Sequence, residues 1–150
     1  MENVEISLCV IGGDSSTHMP LPYADGGIKA GFPSPAQDYL TDSIDLTAEL
    51  APHPASTFYA RVDGHSLKDA GIANGDLVVI DKSLEAQSGD YVAAFVDGEF
   101  TLKQFVVDDK HSCAWLMPAN AEFKPIRITE DNDFMVWGVI THCIKKLRGK

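Results

Sequence analysis

Tyr91-Val92-Ala93-Ala94-Phe95-Val96-Asp97-Gly98-Glu99-Phe100-Thr101-Leu102-Lys103-Gln104-Phe105-Val106-Val107 is the stretch that decides the fold. Asp97-Gly98 is a tight-turn dipeptide flanked by runs rich in valine and phenylalanine, so the segment reads as a hairpin of strands 91–96 and 99–107. Outward from it, strand patterns recur at residues 57–62, 77–81, 112–117, 126–129 and 134–145. Many short strands with turns between them predict a mainly β domain, a sandwich or partly closed barrel. The run Phe134-Met135-Val136-Trp137-Gly138-Val139-Ile140 is apolar on both faces. It must be covered twice, either as a central strand or by a second subunit.

Toward the N-terminus the pattern changes. Ser34-Pro35-Ala36-Gln37 is a helix start, with Ser as cap, Pro at the first helical position and Gln closing the box. Tyr39, Leu40 and Ile44 continue it at roughly helical spacing, and a second short helical turn covers 47–50 before Pro52 and Pro54. Residues 12–33 hold Gly12, Gly13, Pro20, Pro22, Gly26 and Gly27, too many breakers for lasting helix or sheet, and predict an exposed, extended N-terminal arm. Before them Val4, Ile6, Leu8 and Val10 alternate with polar neighbours, the pattern of one half-buried strand docked on or off the body.

Composition narrows the function. Of the 150 residues, 22 are Asp or Glu against 12 Lys or Arg, for a net charge of −10. So acidic a body repels phosphate, which excludes a bulk nucleic-acid binder; any contact with DNA is local or made through a partner. The apolar content of 45% is that of a globular chain. No apolar run is long enough to cross a membrane, and Met1-Glu2-Asn3-Val4-Glu5 lacks the positive start of a secretion signal. Cys9, Cys113 and Cys143 are an odd set without framework spacing, which suits a reducing, cytoplasmic setting. With the histidines they form no metal-ligand spacing, so neither metal nor cofactor is expected. The tail from Lys145 to Lys150 holds Lys145, Lys146, Arg148 and Lys150, a solvated end or a contact for a partner.

Gly64-His65-Ser66-Leu67 is the first candidate for chemistry. A glycine two residues before a serine, just after a strand, permits a sharp turn that presents the hydroxyl with nearby backbone N–H groups; the plain alternative is a polar turn. For a base, five histidines are available, yet no Gly-x-Ser-x-Gly elbow exists, and His65 adjoins Ser66 in a way that makes their side chains diverge. None of the ten serines has a lysine three residues on. A serine with a lysine from elsewhere remains. Lys103 shares a strand face with Thr101 and Phe105, where lysine seldom buries unless paired or functional. An edge lysine that blocks aggregation is the alternative.

The segments Ala30-Gly31-Phe32-Pro33-Ser34-Pro35-Ala36-Gln37-Asp38-Tyr39, Gly64-His65-Ser66, Gly75-Asp76-Leu77, Gly89-Asp90 and Asp97 to Lys103 together resemble the UmuD proteins. These belong to the LexA/UmuD family of self-cleaving serine–lysine peptidases, and the resemblance covers residues 28–147. It implies a LexA/signal-peptidase-like fold, a scissile bond at Ala30–Gly31, Ser66 as nucleophile and Lys103 as general base. It divides the chain into an arm, 1–30, removed by self-cleavage, and a peptidase-like β domain, 31–150. It also implies a homodimer in the bacterial cytoplasm. Its partners would be a UmuC-like error-prone polymerase subunit and a RecA–single-stranded DNA filament that promotes the cut in the SOS response, with no direct sequence-specific DNA binding and no membrane. Leu67 stands where the family commonly has Met, a change that conserves volume, and His65 before the nucleophile raises the question of a pH effect. Two alternatives are a dimeric interaction module that does not cleave and a repressor-type regulator without its DNA-binding domain. Only 30 residues precede Gly31, with one lysine, four acidic residues and no pair of helices, too little for a DNA-reading module.

Overall fold

The structure, a computed structural model, describes residues 19–23 and 42–149. Seven strands form one antiparallel sheet: β3 (Thr57–Arg61), β4 (Leu77–Asp81), β5 (Tyr91–Val96), β6 (Glu99–Asp108), β7 (Cys113–Met117), β8 (Ile126–Ile128) and β9 (Phe134–Ile144). Their order across the sheet is β3-β4-β9-β5-β6-β7-β8, with β3 and β8 at its edges among the described residues. Among the described residues the sheet does not close into a barrel. Each strand lies within a residue or two of its expected bounds, because alternating apolar positions and turn residues mark them locally. The hairpin at Asp97-Gly98 forms with Val96 opposite Glu99. Both turn residues have positive φ, 47° and 92°, the twist that a two-residue connection between strands requires.

Strand β9, the run apolar on both faces, takes an interior place between β4 and β5. It carries two irregularities, one at Ala93/Ala94 of β5 and one at Val79/Ile80 of β4, where its register shifts against each neighbour. Such bulges increase local twist and bend the strand. Residues paired across strands share a face, and the two faces carry separate cores. Val78, Ile80, Ala93 and Leu102 belong to one, with Leu67 and Ile72 from the β3–β4 connection. Val92, Ala94, Leu116, Ile128 and Val139 form the other.

The N-terminal expectations fare less evenly. The short helical turn is present as α1 (Leu46–Leu50), capped by Asp45, whose carboxylate accepts the Ala48 N–H at 3.2 Å. Ile44, expected at helical spacing, instead ends a strand, β2 (Asp42–Ile44), paired with β1 (Leu21–Tyr23). Pairing to a distant segment overrides the local helical pattern there. The expected strand at 4–11 and the helix start at Ser34 lie outside the described residues.

Candidate active site

Ser66 lies in the connection from β3 to β4. Gly64, with φ at 123°, takes a backbone conformation that a side chain would disfavour, and its N–H donates to Asn74 Oδ1 at 2.8 Å. The chain then enters a 3-10 turn, Lys68–Ala70. Leu67 is drawn into the first core, 2% exposed, and fixes the turn against the sheet. Three successive carbonyls are held: His65 by the Lys68 N–H at 3.2 Å, Ser66 by the Ala119 N–H at 2.6 Å, and Leu67 by the Ala70 N–H at 3.0 Å.

Lys103 arrives from β6, opposite Val92 of the second core. Ser66 and Lys103 are both buried, 3% and 5% exposed, and the sheet brings them together. Lys103 Nζ lies 3.0 Å from Ser66 Oγ, 2.7 Å from Thr101 Oγ1 and 3.1 Å from the Leu102 carbonyl oxygen. The Ser66 hydroxyl donates to that same carbonyl at 3.1 Å. Thirty-seven residues separate the pair in sequence, so their contact is a product of the fold. Chemically, a serine hydroxyl at hydrogen-bond distance from an amine is an alcohol beside a base, provided the amine is neutral.

A cleft of about 410 Å³ opens beside the pair. Phe100, Thr101 and Lys103 of β6 line it, together with Phe123, Lys124 and Ile126. The Phe123 ring centre is 6.0 Å from Lys103 Nζ. β7 pairs only with Gln104–Asp108, so among the described residues the 99–103 half of β6 has a strand neighbour on its β5 side alone. An extended peptide therefore has a sheet edge to lie along, next to the hydroxyl.

Of the other residues singled out, His65 is exposed, and Ala30 and Gly31 lie outside the described residues. Cys113 and Cys143 are free thiols, partly buried. Burial and the neighbouring Asp76 carboxylate push the Cys143 thiol above its ordinary value. Among the described residues no group of three or more His, Cys, Asp or Glu could hold a metal ion, and no helix is long and apolar enough to cross a membrane. Sequence reasoning missed Asn120 and Phe123, which reach the site from the β7–β8 connection. Pro118-Ala119-Asn120 between two strands signals a turn but says nothing of where it packs.

Residues 22–141 match the Peptidase S24-like family. The protein MucA of Salmonella typhimurium is 37% identical over 142 residues, 94% of either chain. The protein ImpA of Shigella flexneri is 39% identical over 136 residues, 91% of this chain and 90% of ImpA. The LexA repressor of Clostridium novyi is 34% identical over 121 residues, 81% of this chain but 58% of the repressor.

Proposed function

The chain belongs to the Peptidase S24-like family, among relatives of the UmuD type, and from that premise we propose that it cuts its own chain between Ala30 and Gly31. One observation carries the reading: a buried lysine amine 3.0 Å from a buried serine hydroxyl, beside a strand edge that is open among the described residues. Neutral Lys103 takes the proton of Ser66, and Ser66 Oγ bonds to the carbonyl carbon of Ala30. The tetrahedral oxyanion is met by backbone N–H groups at the nucleophile turn. Its collapse breaks the Ala30–Gly31 bond, and Lys103 passes its proton to the Gly31 nitrogen, which leaves as an amine. Water then adds to the ester carbonyl and loses a proton to Lys103; as the Ser66 Oγ–carbon bond breaks, Lys103 returns that proton to Oγ, and residues 1–30 leave as an acid that ionises in solvent.

Lysine must be neutral for the first step, which sets the conditions for a test. Free lysine titrates at about 10.4, so only ~1 in 2,500 is neutral at pH 7. Purified protein incubated at alkaline pH is expected to yield fragments of 30 and 120 residues out of 150, at a rate that rises with pH. A chain that stays whole at pH 10 defeats the reading.

The wider role follows from the family. In this proposal the 31–150 domain dimerises and serves as an accessory subunit of an error-prone, UmuC-like polymerase in the SOS response, and a RecA–single-stranded DNA filament promotes the cut. Similarity to MucA and ImpA over nine-tenths of each chain supports this reading above that of a repressor, of which this chain spans 58%. The net charge of −10 agrees with contact through protein partners more than through phosphate. Co-purification of the 31–150 fragment with a polymerase subunit tests it.

A further inference from the structure

We infer that Asn120 is a positioning residue for this site: it fixes the peptide unit between His65 and Ser66 so that the Ser66 N–H is aimed at the developing oxyanion. The inference rests on the self-cleaving reading of Ser66 and Lys103.

Asn120 is 6% exposed. A side-chain amide buried to that degree is unfavourable unless its polar atoms are paired. Its Nδ2 donates to the His65 carbonyl at 2.8 Å, across 55 residues of sequence. Its Oδ1 accepts the Glu122 N–H at 3.0 Å, and its own carbonyl accepts the Phe123 N–H at 3.1 Å. The neighbouring residue repeats the link: the Ala119 N–H donates to the Ser66 carbonyl at 2.6 Å, and the Ala119 carbonyl accepts the Asp69 N–H at 2.9 Å. The loop and the nucleophile turn are thus sewn together at three points.

Direction follows from peptide geometry. Among the described residues no peptide bond is cis. In a trans unit the C=O and the following N–H point opposite ways in one plane. Holding the His65 carbonyl against Asn120 therefore turns the Ser66 N–H away from Asn120. Donors oriented before charge develops stabilise an oxyanion without reorganising, and this is commonly the largest single contribution to such a reaction. The same loop brings Phe123 to within 6.0 Å of Lys103 Nζ, so it touches both halves of the pair. Asn120 acts on the serine half.

That division makes the role testable in the full-length chain through the pH–rate profile of self-cleavage. Asn120→Asp retains the size and the acceptor for the Glu122 N–H, but sets a carboxylate oxygen against the His65 carbonyl. Asn120→Ala removes both bonds. In both variants the plateau rate, corrected for folded fraction by thermal melting, is expected to fall about 10²-fold, while the midpoint in Asn120→Ala, which adds no charge, stays at the wild-type pH. A wild-type plateau in Asn120→Asp overturns the role. So does a displaced midpoint in Asn120→Ala, which would mean the loop acts on Lys103, or a rate loss that only tracks lost fold. A wild-type chain that never cleaves sinks the self-cleaving reading and this role with it. Cleavage in the wild type at the same rate as in both variants sinks this role alone.

Discussion

Asp81 and Lys103 are about equally buried, 4% and 5% exposed, yet their surroundings differ in kind. Asp81 Oδ1 accepts from the Ser83 N–H at 2.8 Å, the Ser83 hydroxyl at 2.6 Å and the Ser56 hydroxyl at 3.1 Å, while Oδ2 lies 2.7 Å from His53 Nδ1. Burial works to raise its pKa, but the bonds from Ser83, His53 and Ser56 outweigh it and bring the carboxyl down to about 2. The bonds from Lys103 to described residues all end on neutral oxygens: Ser66 Oγ, Thr101 Oγ1 and the Leu102 carbonyl. One cluster is built to keep a charge, and it pins the segment before β3 to the end of β4. The other holds an amine against a hydroxyl: once Lys103 loses a proton it keeps two N–H donors and gains a lone pair, and the Ser66 hydroxyl can turn from the Leu102 carbonyl to donate to it. A buried carboxylate with matched donors is a structural device, and an amine facing a hydroxyl is suited to proton transfer.

The largest expected effect comes from breaking the second cluster. Ser66→Ala and Lys103→Met should each lower self-cleavage by at least ~10³-fold, because either half alone is an inactive nucleophile. Lys103→Met keeps the shape of the side chain and removes a buried amine, so its melting temperature should equal or exceed that of the wild type. Thermal melts beside fragment analysis on gels check both halves of this. A Lys103→Met chain that melts well below the wild type would erase the distinction between the clusters.

Asp81→Ala should do the reverse. It leaves the Ser56, Ser83 and His53 donors without their acceptor, at a cost of about 2 kcal/mol. The rate of self-cleavage per folded molecule should not change. Urea denaturation gives the first quantity and the cleavage assay the second. A fall in cleavage rate in the folded variant would show that the two clusters are coupled.

Acid and alkali separate them again. The Asp81 pKa is depressed from 3.8 to about 2, so its contribution is full above the unfolded value and is lost as pH falls through the folded one. A shift of that size corresponds to roughly 2.5 kcal/mol, and about 1–2 kcal/mol is expected after solvent screening, since the His53 side chain is 53% exposed. The stability difference between wild type and Asp81→Asn should therefore hold from pH 7 to pH 5 and shrink between pH 4 and pH 2. Self-cleavage should respond at the alkaline end only. A stability difference that is constant down to pH 2 would remove Asp81 as its source.

Much of this was legible in the sequence, and unevenly so. Alternation and the Asp97-Gly98 turn are local signals, and they located the strands from residue 57 onward. Ser66 was singled out by its turn and Lys103 by elimination of other bases and by resemblance; that the two side chains meet was not legible, since their contact depends on pairing between β5 and β6 and on the docking of Leu67. Strand order was not legible, because β9 reaches the interior of the sheet from the end of the chain. Ile44 was misread, since its partner in β1 is supplied from across the chain. Asn120 and the Asp81 cluster were invisible for a related reason. A buried polar residue is recognisable only by its partners, and the ones that tie these residues to other elements are distant, His65 lying 55 residues from Asn120 and His53 28 from Asp81.

A third cluster, at the far end of β9, tests whether matched charge or burial makes a structural cluster. Lys145 Nζ bonds Asp76 Oδ2, and the same carboxylate receives the Ala73 N–H at 2.8 Å and the Cys143 thiol at 3.4 Å. Burial pushes the Asp76 carboxyl up, but Lys145, the Ala73 amide and Cys143 together hold it below the ordinary value. Asp76 in turn holds the Lys145 ammonium above its own. The carboxylate is met by donors as at Asp81, but the lysine side chain is 37% exposed, against 10% for the aspartate. An ion pair at the rim is screened by water and by salt, and it must order a long, flexible side chain. Lys145→Ala also leaves Asp76 with its amide and thiol donors, so no buried group is stranded. The expected loss of stability is thus the smallest of the series, well below that of Asp81→Ala, and it should shrink further as ionic strength rises from 0.05 to 1 M. Asp81→Ala should show little dependence on salt over the same range. Urea titrations of both variants at the two salt concentrations make the comparison. Equal, salt-insensitive losses would mean that matched charge alone sets the stability of these clusters, and the weight given to burial would have to be withdrawn.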